Sequence, residues 1–111
     1  MGEDGRSDIA PAPRASLLVV YTERLEACRD FYSDLGLDLV REQHGTGPVH
    51  YAVELAAGLV MELYPGASER TTGRLRLGLE VSASTRLPVG KHHLTDPDGR
   101  TVAVTAVAPP G

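Results

Sequence analysis

One stretch of this chain carries its apolar residues at helical spacing, and almost everything after it is punctuated for strands. Leu25, Cys28, Tyr32 and Leu35 fall on one stripe with Phe31 beside them, while Arg24, Glu26, Arg29, Asp30 and Ser33 lie elsewhere on the wheel. Thr22 or Glu23 stands at the expected start, and Gly36 suits a left-handed C-cap, which predicts a helix over residues 24–35. Cys28 lies on the apolar stripe and reads as a buried, inert thiol.

Before the helix, Leu17-Leu18-Val19-Val20-Tyr21 is apolar on both faces and predicts a buried strand. After it come strand candidates at 38–44, 48–55 and 58–64, separated by Gly45-Thr46-Gly47-Pro48 and by the Ala57-Gly58 turn. Pro65-Gly66 and a polar stretch to Gly73 close this half. A strand over 74–81 then alternates Arg74, Arg76, Gly78 and Glu80 with Leu75, Leu77, Leu79 and Val81. Two more, at 88–95 and 100–107, flank the turn Asp96-Pro97-Asp98-Gly99. The order βαβββ followed by βββ predicts an α+β fold in which hairpins pair antiparallel and one sheet face is covered by the helix. Residues 1–14, rich in Gly, Pro and charge, read as a flexible tail, and 15–107 as one domain.

Composition excludes several classes. A length of 111 residues leaves room for one core, and 5% aromatic content means that Leu and Val must build it. The net charge of −4 gives no basic footprint for nucleic acid. A single cysteine forms no internal disulfide. With no signal-peptide pattern and no transmembrane-length apolar run, a cytoplasmic protein without membrane partners is expected.

Three segments carry a family resemblance. Arg24-Leu25-Glu26-Ala27-Cys28-Arg29-Asp30-Phe31-Tyr32, followed by Leu35-Gly36-Leu37, resembles the first-helix signature of the vicinal-oxygen-chelate (glyoxalase/bleomycin-resistance) superfamily. Met61-Glu62-Leu63-Tyr64-Pro65 looks like the end of that module's fourth strand. Leu94 to Val102 resembles its closing Asp-Pro-Asp-Gly hairpin. The resemblance implies two βαβββ modules curled around a cavity, the second shortened here: only about five residues, Ser82 to Arg86, stand where its helix belongs. The four metal-ligand positions of the superfamily fall at Leu17, Glu62, Arg76 and Ala103. One donor in four makes no metal site, because Leu and Ala offer no lone pair and Arg is a cation. No metal or other cofactor is therefore expected.

Alternation assigns the cavity face. If Leu18 and Val20 pack under the helix, then Leu17, Val19 and Tyr21 face the cavity, joined by His50, Glu54, Val60, Glu62 and Tyr64. The second half adds Arg74, Arg76, Glu80, His93, Thr101, Ala103 and Thr105. The expected ligand-binding set is thus Tyr21, His50, Glu54, Glu62, Tyr64, Arg74, Arg76, Glu80 and His93. Glu62 and Arg76 are expected to form an ion pair, since a buried carboxylate needs a partner. With few aromatics to stack on a large ring (Tyr21, Tyr64 and Tyr51), a small anionic ligand is favoured. His92 and His93 point to opposite faces of a strand and cannot chelate one ion together.

These readings favour a metal-independent small-molecule binding protein, of an antibiotic or a small anionic metabolite. One alternative is an enzyme of the same superfamily, with His50, Glu62 or His93 as general base or with relocated metal ligands such as His50 and Glu54 beside Glu62. Another is a dimerising interaction protein with a vestigial cavity. The missing helix should leave Leu75, Leu77, Leu79, Val81, Leu94, Val102 and Val104 as an open apolar face. A second subunit, giving a homodimer, or the tail through Ile9 is expected to cover it.

Overall fold

The computed structural model of the chain describes residues 11–110. Its order is β1 (Leu17–Thr22), α1 (Leu25–Asp34), β2 (Val40–Glu42), β3 (His50–Glu54), β4 (Val60–Pro65), β5 (Arg76–Ser82), β6 (Gly90–Thr95) and β7 (Thr101–Val107), with a short 3₁₀ turn at Ala56–Gly58. Seven strands form two curled sheets, ordered β1-β4-β3-β2 and β5-β7-β6. The expected α+β class and the shortened second half are both present, and no helix lies between β5 and β6. The expected antiparallel pairing of hairpins is present in β2–β3, β3–β4 and β6–β7, whereas β1 runs parallel to β4 and β5 parallel to β7. In each half the first strand skips its neighbours and pairs with the last, so a long connection intervenes, as parallel pairing requires.

The helix starts at Arg24, whose N–H donates to Thr22 Oγ1 at 2.9 Å. At its other end Gly36 takes φ 107°. The Leu37 N–H then reaches Tyr32 O at 3.2 Å and the Gly36 N–H reaches Ser33 O at 2.9 Å, a Schellman closure. Cys28 and Tyr32 are fully buried on the predicted stripe. Tyr51, Val53, Met61 and Leu63 complete the packing under the helix, as the alternation of β3 and β4 dictates.

The expected open apolar face of the second half is not open. Val102 and Val104 are fully buried and Leu77 nearly so, while Leu75, Leu79, Val81 and Leu94 are half-buried. All of them belong to the same core cluster as Cys28 and Tyr32. The single helix does part of the work of two: it lies over the seam, and its Tyr32 hydroxyl donates to Asp96 Oδ2 in the second half at 2.7 Å. The segment between β5 and β6 packs Leu87 onto the same core, and Arg86 pairs with Asp34 at the helix end, 3.5 Å away. The proposed cover through Ile9 lies outside the described residues.

A buried polar clasp joins the halves. Asp96 Oδ1 accepts the N–H groups of Asp98 and Arg100, both at 2.9 Å, which shapes the Asp96-Pro97-Asp98-Gly99 turn. Arg100 Nη1 donates to Asp96 at 3.1 Å and to Asp98 at 2.9 Å. Its Nε donates to Gly73 O and its Nη2 to Tyr21 O in the first half. Burial alone would lower the Arg100 pKa, but its bond to Asp96 and the charges of Asp96 and Asp98 outweigh that and raise it.

Candidate functional site

Strand register builds the concave face of the first sheet row by row. Tyr21 stands opposite Tyr64, Val19 opposite Glu62 and Leu17 opposite Val60. On the other side of β4, Glu62 faces Ala52 and Val60 faces Glu54. Beyond β3, Glu42 faces His50 and Val40 faces Ala52. The predicted alternation therefore holds: Leu17, Val19, Tyr21, His50, Glu54, Glu62 and Tyr64 share one side.

Their row at the end of the sheet is aromatic. Tyr21 and Tyr64 lie 5.9 Å apart between ring centroids, Tyr64 stacks on His50 at 4.1 Å with an interplanar angle of 11°, and His44 follows His50 at 5.2 Å. A chain with few aromatics has collected two tyrosines and two histidines in a continuous row. Tyr21 is 44% exposed, and on the same face Leu17 and Val40 are 58% and 56% exposed. Burial raises the Tyr64 pKa, aided by the charges of Glu62, Tyr21 and Glu42, which keeps the phenol neutral over the physiological range. Tyr51 does not join this face: it is buried in the core, and its hydroxyl donates to Glu26 at 2.6 Å.

His50 is 1% exposed. Its Nδ1 lies 3.2 Å from Pro48 O and its Nε2 3.2 Å from Glu42 Oε1. The ring is thus an internal support for Tyr64 rather than an accessible base. His44 Nε2 approaches the same Glu42 oxygen at 3.6 Å. Glu42, His44 and His50 bring three ligand-type atoms within 4.8 Å of one another. The relocated set of His50, Glu54 and Glu62 is not gathered in this way; Glu42 and His44 take the places given to the other two. Sequence reasoning passed over them, although Glu42-Gln43-His44 and His50 flank one hairpin turn and β2–β3 pairing must bring them together.

The second sheet offers a different surface. Arg76 faces Thr101, Gly78 faces Ala103 and Glu80 faces Thr105. His93 and Lys91 extend the last two of these rows onto β6. Arg76, Glu80 and His93 are exposed, so this face is charged and open. No ion pair joins Glu62 to Arg76 among the described residues: Glu62 lies on the first sheet, and Arg76 on the second is exposed to solvent. Nor do the predicted ligand residues line a common cleft. Tyr21 borders one with Pro65, Gly66, Ala67 and Arg70, Arg74 and Arg76 border another with Arg100 and Thr101, and Glu54 borders a third with Val40 and Glu42.

The superfamily's metal positions fit no metal here. Leu17, Arg76 and Ala103 supply no donor, and Glu62 stands between Val19 and Ala52.

No protein-family model and no curated protein sequence matches the chain. Solved structures do. TnmS3, an antibiotic binding protein from Streptomyces sp. CB03234, superposes with a TM-score of 0.60 at 21% identity, covering 90% of this chain and all of its own. The lactoylglutathione lyase of Agrobacterium tumefaciens gives 0.53 at 18% identity, over 86% of this chain and 95% of its own. The oxidase ChaP-H2 gives 0.57 at 17%, over 91% and 98%. The chain has the vicinal-oxygen-chelate fold. Within that fold the first module is complete and the second has lost its helix, with the superfamily's metal positions left almost without donors.

Proposed function

We propose that this vicinal-oxygen-chelate protein binds a flat organic molecule of the antibiotic type on the first sheet's concave face, without a metal at the superfamily's ligand positions. The observation that carries the reading is the exposed Tyr21 beside Tyr64, which buried His50 backs at 4.1 Å, with exposed Val40 one row along and exposed Leu17 two rows along the same face. Since His50 covers one face of Tyr64, the exposed Tyr21 ring and the free edge of Tyr64 are what a planar partner meets, by offset or edge-to-face contact. This moves the ligand away from the small anion that composition favoured, since a few rings in register make a better surface than many scattered ones. Glu62, one row along from Tyr64, supplies the polar contact that orients the ligand. An antibiotic-binding neighbour of the same fold supports the reading by analogy only.

Catalysis has less behind it. His50 is sealed beneath Tyr64, and Glu62 lacks a hydrogen-bonded histidine partner among the described residues. The platform is open in one chain, so we assign its closure to a second copy, whose charged β5-β7-β6 face supplies Arg76 and His93. Sedimentation at micromolar concentration checks this: a dimer is expected, and a persistent monomer removes that part of the reading.

The test of the binding function is a calorimetric screen with flat fused-ring compounds, including quinones, acridines and flavonoids. At least one class is expected to bind, and Tyr64→Ala to weaken it roughly tenfold, equivalent to about 1.4 kcal/mol. Binding unchanged by both Tyr21→Ala and Tyr64→Ala would remove the platform from the account.

A further inference from the structure

The geometry points to a divalent transition-metal site of the His₂-carboxylate type at Glu42, His44 and His50, away from the superfamily's own metal positions. It does not rest on the small-molecule reading.

The case begins with the buried ring of His50. Its Nδ1 faces a carbonyl, Pro48 O at 3.2 Å, which can only accept, so this contact suits the tautomer with the proton on Nδ1. Its Nε2 faces a carboxylate oxygen, Glu42 Oε1 at 3.2 Å, which also only accepts when ionised. With the proton on Nδ1, the Nε2 lone pair points to a spot shared by Glu42 Oε1 and by the Tyr64 hydroxyl, 3.4 Å away, where an ion can be held. His44 adds a second imidazole: its Nε2 converges on the same oxygen at 3.6 Å, with one ligand atom of each of the three residues within 4.8 Å of the others.

The spacing fits a metal. Zinc bonds to nitrogen and oxygen of about 2.0–2.2 Å place tetrahedral ligands roughly 3.4 Å apart. The two edges to Glu42 Oε1, 3.2 Å and 3.6 Å, bracket that value, and the third pair lies within 4.8 Å. The Nδ1–H contact to a backbone carbonyl is the outer-shell bond that fixes the tautomer and orientation of a metal-binding histidine. Two imidazoles and one carboxylate suit zinc and its neighbours in the first transition row rather than calcium or magnesium. His50 and Tyr64 close the inner side, while the 76% exposed side chain of His44 lies on the solvent side. An ion there has an entry path and a coordination position left for water. It would also tie the three-residue edge strand β2 and the start of the turn to β3.

The experiment titrates Co²⁺ and Zn²⁺ into chelator-treated full-length protein, reading the visible ligand-field absorption of cobalt and the heat of zinc binding. One ion per chain is expected, with cobalt displaced by zinc. His44→Ala alters an exposed side chain and so leaves the fold intact; it is expected to weaken binding at least about 100-fold, since loss even of an outer-shell partner costs 10–100-fold. Glu42→Gln should do the same, and His92→Ala with His93→Ala should change nothing. The absence of a cobalt band overturns the site, leaving Glu42, His44 and His50 a hydrogen-bonded cluster. Binding that survives His44→Ala but is lost with His92 and His93 also overturns it. Neither result bears on the Tyr21–Tyr64 platform, whose ligand screen is read without metal.

Discussion

At the scale of single residues, the side chain with most influence on this molecule is Arg100. It is 2% exposed, pairs with two carboxylates and bonds two backbone carbonyls across the seam. Removing one partner of a buried pair leaves the other charged and unsatisfied, at a cost of about 3–5 kcal/mol. Arg100→Met is expected to lower the unfolding free energy by that amount in urea denaturation, and a loss below about 1 kcal/mol would mean that water enters the seam freely. Burial, followed by the hydrogen bond and charge of Asp96, raises the Tyr32 pKa well above its ordinary 10.0; burial likewise raises Cys28 above 9.0 despite its contact with Thr22. Groups with raised native pKa values contribute stability that is whole below their unfolded values and is lost as pH rises towards the native ones. Stability should therefore hold to about pH 9 and decline above it. Chemical denaturation across that range checks this, and Tyr32→Phe should flatten the decline above pH 10.

Elements show where a single sequence is readable. The helix was legible because its stripe and its Gly36 cap agree, and the strands because alternation and turn residues agree. Which strands are neighbours was not legible: parallel pairing of β1 with β4 and β5 with β7 depends on crossovers that leave no local mark. The back face of the second half was misread for the same reason. Counting helices showed that one was missing, but only the tertiary arrangement shows α1 and Leu87 covering both halves. The site was half legible. Alternation placed Tyr21, Glu62 and Tyr64 on one face, whereas register across β2 and β3 was needed to bring Glu42 and His44 to His50. The turn at Ala56–Gly58 carries a further prediction. Ala57 has φ 62° and ψ 22°, the left-handed region that costs a residue with a Cβ about 1–2 kcal/mol. Ala57→Gly relieves this and loses part of the gain to unfolded-state entropy. A net gain of about 0.5–1 kcal/mol is expected in thermal unfolding, and destabilisation would contradict the turn geometry.

For the whole molecule, two sheets held by one helix and one polar clasp present two unlike faces, one aromatic and apolar, the other charged. Of the positions Leu17, Glu62, Arg76 and Ala103 only Glu62 carries a donor, and the aromatic row is the other feature that the first sheet's concave face offers. The most direct test is a two-dimensional amide NMR titration with a fused-ring compound that binds in the screen. The account predicts saturable shifts concentrated at Val19, Tyr21, Glu62 and Tyr64, with the outer face of α1 unmoved. Shifts centred instead on the helix or on the segment between β5 and β6 would contradict it.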